Sequence, residues 1–265
     1  MNRLRKALAE NNGQTLLGAA VYFYDPIFLE ICIHLGYKAI WIEMEHAPIT
    51  FAEAADLCRM ASGHGMLTMI RIPDTRRESV LKAAECGPDI LDVPMVEDPE
   101  KMLELSKYAR FAPMGERGYF SVSRAVNYGI VESVPHEQQQ LNHDLCLLGQ
   151  METAAALERV EELAAVPDVD LFIGPADLAA SLGHPGQTNH PDLKAAGRRI
   201  IAAARKNNKL VATACGQGDY AYWLEAGVDL LFCVNDIVCL KTAAGDALKY
   251  ARELLENQKA ARGTV

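Results

Sequence analysis

The sequence predicts a closed (β/α)8 barrel, and three observations carry that prediction. Eight short apolar runs recur along the chain, helix-period segments separate most of them, and four of the runs break off abruptly in charged or polar residues. Those four are Ala39-Ile40-Trp41-Ile42, ending in Glu43-Met44-Glu45-His46; Leu67-Thr68-Met69-Ile70, ending in Arg71; Leu147-Leu148, ending in Gly149-Gln150-Met151-Glu152; and Leu171-Phe172-Ile173, ending in Gly174-Pro175-Ala176-Asp177. Continuous aliphatic and β-branched runs belong to strands buried on both faces, which occur almost only in parallel sheets covered by helices. The polar tails fall just past the carboxyl ends of the strands, where such folds place their functional groups.

Strands are expected near residues 15–20, 38–43, 66–71, 89–93, 145–150, 169–174, 209–214 and 229–234. Between them, residues 25–35, 50–63, 75–86, 98–109, 153–164 and 192–207 carry helical periodicity. Two helix starts are explicit: Pro99 follows Asp98 as a first-turn proline, and Thr153 precedes an alanine-rich stretch. Eight alternating units in about 250 residues specify a barrel, whereas a doubly wound open sheet usually has fewer strands and ranks second. The chain 1–265 is therefore read as one domain. Residues 110–144 break the rhythm, running through Gly115-Glu116-Arg117-Gly118-Tyr119-Phe120-Ser121-Val122-Ser123-Arg124 to Pro135 and His136. A long connection without structure is uncommon in a compact domain unless it acts. It is read either as a solvated surface loop or as a loop over the barrel mouth or into a neighbouring subunit. The stretch 237–259 is expected to be helical, with Leu240, Leu248, Leu254 and Leu255 as an apolar face for the barrel or a partner subunit.

Composition narrows the function classes. Half the residues are hydrophobic and 23% are charged, an ordinary globular balance. A formal net charge of −9 argues against a nucleic-acid surface and supplies no basic patch for a membrane. Small polar metabolites and other subunits are the expected partners. Cys32, Cys58, Cys86, Cys146, Cys215, Cys233 and Cys239 contain no C-x-x-C pair and read as reduced thiols of an intracellular protein. The basic start Met1-Asn2-Arg3-Leu4-Arg5-Lys6 leads into no apolar signal segment, and no run reaches the roughly 20 apolar residues of a membrane span. The cytoplasm is the expected location.

Glu152 and Asp177 follow consecutive predicted strands, and 177 − 152 = 25 residues is one βα unit. Adjacent strands would bring both carboxylates to the mouth, a donor pair suited to a hard divalent ion such as Mg²⁺ or Mn²⁺. Equally, Glu152 could be a first-turn helix carboxylate and Asp177 a cap. His46, behind Glu43 and Glu45, could act as a general base with a carboxylate orienting its ring, or be structural. Arg71 at a strand end suits either an ion pair or an anionic substrate oxygen. Gly216-Gln217-Gly218-Asp219-Tyr220-Ala221 matches G-x-G-x-x-A, but so late in the chain it reads as a turn offering N–H groups to an anion. No lysine ends a predicted strand, which disfavours imine chemistry. H-E-x-x-H, P-loop and G-x-S-x-G motifs are absent.

The segments Trp41-Ile42-Glu43-Met44-Glu45-His46-Ala47-Pro48, Val93-Pro94-Met95-Val96, Gly149-Gln150-Met151-Glu152-Thr153 and Phe172-Ile173-Gly174-Pro175-Ala176-Asp177-Leu178 resemble the HpcH/HpaI aldolase family, from about residue 15 to 250. The resemblance implies a (β/α)8 barrel of the phosphoenolpyruvate/pyruvate superfamily, assembled as a homo-hexamer from dimers. It further implies that Glu152 and Asp177 hold a divalent metal (Mg²⁺, Mn²⁺ or Co²⁺) that chelates pyruvate. Arg71 would stabilise an enolate oxygen, Gln150 would support the metal's water or the substrate, and the N–H groups of Ala176 and Asp177 would bind the pyruvate carboxylate. His46 would belong to the acid/base system with Glu85, and Arg124 would meet the distal carboxylate of the aldehyde from a neighbouring subunit. Three departures stand out: Glu43 where family members carry aspartate, Glu85 where an aspartate is typical, and Asp92 where an apolar residue is usual.

The activity so implied is cleavage of a 4-hydroxy-2-oxo acid to pyruvate and an aldehyde by a metal-dependent carbon–carbon lyase. Oxaloacetate decarboxylation or acyl-CoA cleavage as in citrate-lyase-like relatives is the alternative, and a non-catalytic barrel that binds a keto acid is the third reading.

Overall fold

The computed structural model describes residues 1–262, with side chains described to residue 259. Eight parallel strands close into a barrel in sequential order: β1 (Leu16–Val21), β2 (Ala39–Glu43), β3 (Leu67–Arg71), β4 (Ile90–Val93), β5 (Cys146–Met151), β6 (Asp170–Ile173), β7 (Val211–Ala214) and β8 (Leu230–Asn235), with β8 pairing back to β1. The expected fold class is thus the observed one, and each strand lies within a residue or two of its expected place.

Strand periodicity divides the core in two. Ile40, Ile42, Leu91, Leu147, Leu171 and Ile173 point outward into the layer between strands and helices. Trp41, Met69, Ile90, Leu148 and Phe172, at alternate positions, fill the barrel interior. Trp41 meets the rings of Phe172 and Phe232 edge-on at centroid distances of 5.4 and 5.5 Å. Gly18 on β1 makes room for this cluster, since a Cβ there would lie 2.6 Å from the Phe232 ring.

The outer layer comprises α2 (Pro26–Leu35), α3 (Phe51–Gly63), α4 (Arg77–Glu85), α5 (Pro99–Ala109), α7 (Ala154–Glu158), α8 (Val160–Ala165), α9 (Pro175–Ser181), α10 (Pro191–Lys206) and α11 (Tyr220–Ala226), joined by α1 (Arg3–Glu10), α6 (Val134–Asp144) and α12 (Asp236–Arg262). Caps set the starts where the sequence signalled them. Asp98 accepts from the Lys101 N–H ahead of Pro99, Thr153 accepts from Ala156 N–H, and Thr50 and Glu53 form a reciprocal capping box.

Two elements were invisible in the hydrophobic pattern. Helix α1 presents only Leu4 and Leu8, one turn apart, to the amino end of the barrel, where both are buried with Leu16 and Leu230. It is otherwise polar, and Arg3–Asp89 and Arg5–Asp170 ion pairs of 2.8 Å tie it to the strand starts. Residues 110–144, expected to be a loop, contain a 3-10 segment (Arg124–Gly129) and α6. The buried residues of α6 are Gln138 and Asn142, and Asn142 exchanges hydrogen bonds with the backbone of Phe111, so this helix docks by polar contacts that leave no apolar stripe. The interval does not cover its own barrel mouth. Arg124 donates to the carbonyls of Cys86 and Gly87 at the end of α4 and of Cys58 within α3, on the side where the chain returns to the amino ends of the strands. Helix α12 extends beyond the expected 237–259, and Leu240, Leu248, Leu254 and Leu255 remain exposed on it.

Truncating the barrel plug tests this account. Leu4→Ala is expected to cost about 2–5 kcal/mol in denaturant unfolding, while Glu10→Ala on the solvent face of α1 should stay within about 0.5 kcal/mol.

Candidate active site

Two residues along each strand from the apolar interior layer, the barrel lining turns polar: Glu43 follows Trp41, Arg71 follows Met69, Asp92 follows Ile90 and Gln150 follows Leu148. Strand register places Glu43 beside Arg71 and Arg71 beside Asp92, so these side chains share one row at the carboxyl end. Arg71 donates through Nε to Glu43 at 2.6 Å, lies 3.1 Å from a Glu45 carboxylate oxygen, and donates to Gln150 Oε1 at 3.3 Å. Its guanidinium carbon stands 4.8 Å from the Trp41 ring centroid. Burial works against the arginine's charge, yet the carboxylates of Glu43, Asp92 and Glu45 hold it above the ordinary arginine value. The other Glu43 oxygen accepts from the backbone N–H groups of Glu45 and His46, at 2.7 and 2.9 Å, and so shapes the loop after β2.

Glu152 is 2% exposed at the end of β5. The Met95 backbone takes a left-handed conformation (φ 53°) after Val93-Pro94 and donates its N–H to Glu152 at 2.5 Å. Opposite, Gly174 is required by contact: a Cβ there would lie 2.4 Å from a Glu152 carboxylate oxygen. Burial and, beyond the opposing Met95 hydrogen bond, the charge of Asp177 push the Glu152 carboxyl from its usual 4.5 up to about 7. Asp177 stands exposed in the first turn of α9, and its backbone N–H and that of Ala176 have no acceptor within the helix.

A cavity of about 450 Å³ opens above this layer, lined by Arg71, Gln150, Glu152, Ala176 and Asp177. Trp41, Phe172 and Phe232 form its floor, and Tyr22 and Asn235 enter it from the ends of β1 and β8. Two oxygen-donor side chains that repel each other across a mouth, one raised to about 7, are what a divalent cation would relieve, so the residues fit such an ion. Glu45 adds a third carboxylate, pushed above its ordinary value by burial despite Arg71 and His46. Among the described residues, His184, His190 and Asp192 also lie within 4.8 Å of one another, but they flank the loop before α10 outside this cavity, and the His190 Nδ1 accepts from the Asp192 N–H.

The structure thus brings together Arg71, Gln150, Glu152, Ala176 and Asp177. His46 lies beside them on an exposed loop, with Nε2 3.6 Å from Glu45. Glu85 does not join them: it ends α4 on the far side of the barrel, ion-paired to Arg117 at 2.9 Å. Within one protomer the carboxylate next to His46 is Glu45. Arg124 lies on that same far side and lines a separate cavity with Arg117. Sequence reasoning missed Tyr22 and Asn235, although both stand at strand ends, the very signal that located the others. Met95 was marked only as part of the Val93-Pro94-Met95-Val96 segment and given no role, because its contributing group is a backbone N–H.

A closed parallel barrel with an arginine set among carboxylates at the carboxyl ends of its strands has the layout of a barrel enzyme's active site. The chain belongs to the HpcH/HpaI aldolase/citrate lyase family, whose model matches residues 21–227. It is 35% identical over 196 residues to a hydroxypyruvate/pyruvate aldolase of Sagittula stellata, covering 74% of this chain and 76% of that protein. It is 32% identical over 216 residues to a 2-keto-3-deoxy-L-rhamnonate aldolase of Escherichia coli K12, covering 81% and 76%. Among solved structures, an HpcH/HpaI aldolase from Desulfitobacterium hafniense superimposes with a TM-score of 0.87 at 26% identity, covering 96% of this chain and 97% of that one. An HpcH/HpaI aldolase/citrate lyase family protein from Burkholderia cenocepacia gives 0.85 at 31%, covering 95% and 100%.

The raised Glu152 carboxyl sets a pH dependence. It is near 4.5 in the unfolded chain and about 7 in the fold, so ionising it opposes folding between those values. Metal-free protein should therefore lose stability from this group as pH rises from 4.5 to about 7, and Glu152→Gln should remove that part of the loss in unfolding curves taken across the range.

Proposed function

We propose that the protein is a divalent-metal-dependent aldolase that cleaves a 4-hydroxy-2-oxo acid to pyruvate and an aldehyde. The observation that carries the proposal is a single guanidinium, Arg71, fixed by Glu43 and Gln150 in the same cavity as Glu152 and Asp177. The aldolase names of the relatives support the same reaction class.

In this reading Glu152 and Asp177 hold the cation, which when bound would polarise the keto group and neutralise the acidic mouth. Arg71 stabilises the negative charge that develops on the enolate oxygen, its position already set before reaction. Gln150 supports the substrate oxygens, and the Ala176 and Asp177 N–H groups receive the pyruvate carboxylate. A base removes the proton of the C4 hydroxyl, the C3–C4 bond breaks, its electron pair forms the enolate, and the aldehyde leaves. His46 is assigned this proton through a water, with Glu45 as its carboxylate in one protomer. Glu85 and Arg124 could take the roles first assigned to them only by meeting a neighbour's mouth, as the proposed homo-hexamer would allow. The exposed leucines of α12 suit such subunit contacts. The choice among Mg²⁺, Mn²⁺ and Co²⁺ belongs to the proposal, as does a cytoplasmic location. No helix among the described residues is long and apolar enough to cross a membrane.

The deciding experiment is exchange of pyruvate methyl protons in D₂O, followed by NMR with Mg²⁺ or Mn²⁺ and then with chelator. Chelator-sensitive exchange is expected, and its absence with every metal would overturn the aldolase reading. Glu152→Ala should nearly abolish exchange. Arg71→Lys, which keeps charge but loses the fork that Glu43 and Gln150 grip, should lower it by about 10²- to 10³-fold.

A further inference from the structure

We propose that Asp92 is a positioning residue that locks the Gln150 carboxamide with its oxygen facing Arg71. A primary amide can sit either way round, exchanging one acceptor for two donors. With its NH₂ group toward Arg71, Gln150 would set donors against a guanidinium that has only donors. In the structure Gln150 Oε1 faces Arg71, while Nε2 donates to Asp92 Oδ2. Both partners favour this orientation, and Asp92 supplies the acceptor that anchors the Nε2 end.

The position has no packing reason to be a carboxyl. Asp92 is 0% exposed, follows Ile90 on the interior side of β4, and pairs in register with Arg71 on one side and Leu148 on the other. Its second oxygen, Oδ1, has no hydrogen-bond partner among the described residues. A buried polar atom without a partner is a standing cost that leucine would avoid, so the carboxyl must be retained for the bond it does make. Burial raises Asp92 well above the carboxylate range against the pull of Arg71. The lock holds while Oδ2 carries no proton, as in the carboxylate or in an acid protonated on Oδ1; a proton on Oδ2 would turn that oxygen into a donor toward Gln150. The lock's consequence lies at Arg71: Glu43 grips Nε, Gln150 Oε1 and a Glu45 oxygen lie against one terminal nitrogen, and the guanidinium is held between them with Nη2 turned to the cavity for a substrate oxygen.

The kinetic arm of the test rests on the aldolase reading, and the spectroscopic arm does not. Asp92→Leu should lower the rate of pyruvate proton exchange about tenfold, the scale of one lost hydrogen bond, with little change in KM. Asp92→Asn, which keeps an acceptor at the same place, should recover most of that loss. In a Gln150→Ala background, Asp92→Leu should have no further effect, because the residue it acts through is gone. An equal loss in both backgrounds, or none in either, overturns the proposal. Independently of turnover, glutamine side chains labelled with ¹⁵N report the lock directly. The Gln150 amide resonance, assigned by its absence in Gln150→Ala, should move upfield in Asp92→Leu and stay in place in Asp92→Asn. An unmoved resonance in Asp92→Leu overturns the lock, whereas a moved resonance in a protein that exchanges no pyruvate protons overturns the aldolase reading alone.

Discussion

The buried pair between Glu43 and Arg71 is the constraint on which the mouth of this barrel depends. Both side chains leave the aqueous phase, so each would carry a desolvation penalty of several kcal/mol alone. They meet at 2.6 Å, and the second Glu43 oxygen is occupied as well. One oxygen of Glu43 holds Arg71 while the other gathers the N–H groups of Glu45 and His46. The arginine of one strand and the loop of its neighbour are thereby fixed by a single carboxylate. The longer reach of glutamate over aspartate matters here, because the same group must span from its strand to both the guanidinium and the turn.

Charge balance explains why this arrangement calls for a cation. Glu43, Glu45, Asp92, Glu152 and Asp177 converge on Arg71. The arginine satisfies Glu43 and part of Glu45, and burial raises the Asp92 carboxyl well above its ordinary value. Glu152 and Asp177 remain, facing each other with no second guanidinium or ammonium in the cavity lining among the described residues. The polypeptide has invested a left-handed backbone at Met95 and a side-chain-free position at Gly174 to keep Glu152 where it is. Backbone strain of this kind clusters at functional sites.

Much of this was legible in the sequence, and the boundary of legibility is physical. Strand cores announced themselves because buried parallel strands need continuous apolar runs, and the polar residues that ended those runs were the cavity lining. Asp92 stood out only as a carboxyl in an apolar setting, and its partner Gln150 became visible once register aligned the strands. Helix α1 escaped because two leucines suffice to plug a barrel end, and α6 because it docks through Asn142 and Gln138. Glu85 is a different case: it ends α4, which like every helix of the barrel runs back toward the strand starts, so within one protomer it pairs with Arg117, and the role assigned to it rests on a neighbouring copy that one chain's sequence does not place.

That opposition of ends has a functional consequence. Residues at the amino end, such as Leu4, Asp89 and Asp170, are tied into packing and ion pairs that close the barrel, and no mouth residue depends on them directly. Residues at the carboxyl end are tied mainly to one another. The interior layer of Trp41, Met69, Ile90, Leu148 and Phe172 separates the two sets and insulates the buried charges above it from the helix plug below. A barrel built this way can exchange its acceptors and acids at the mouth, as with Glu43 and Asp92 here, while the hydrophobic layer beneath continues to specify the fold.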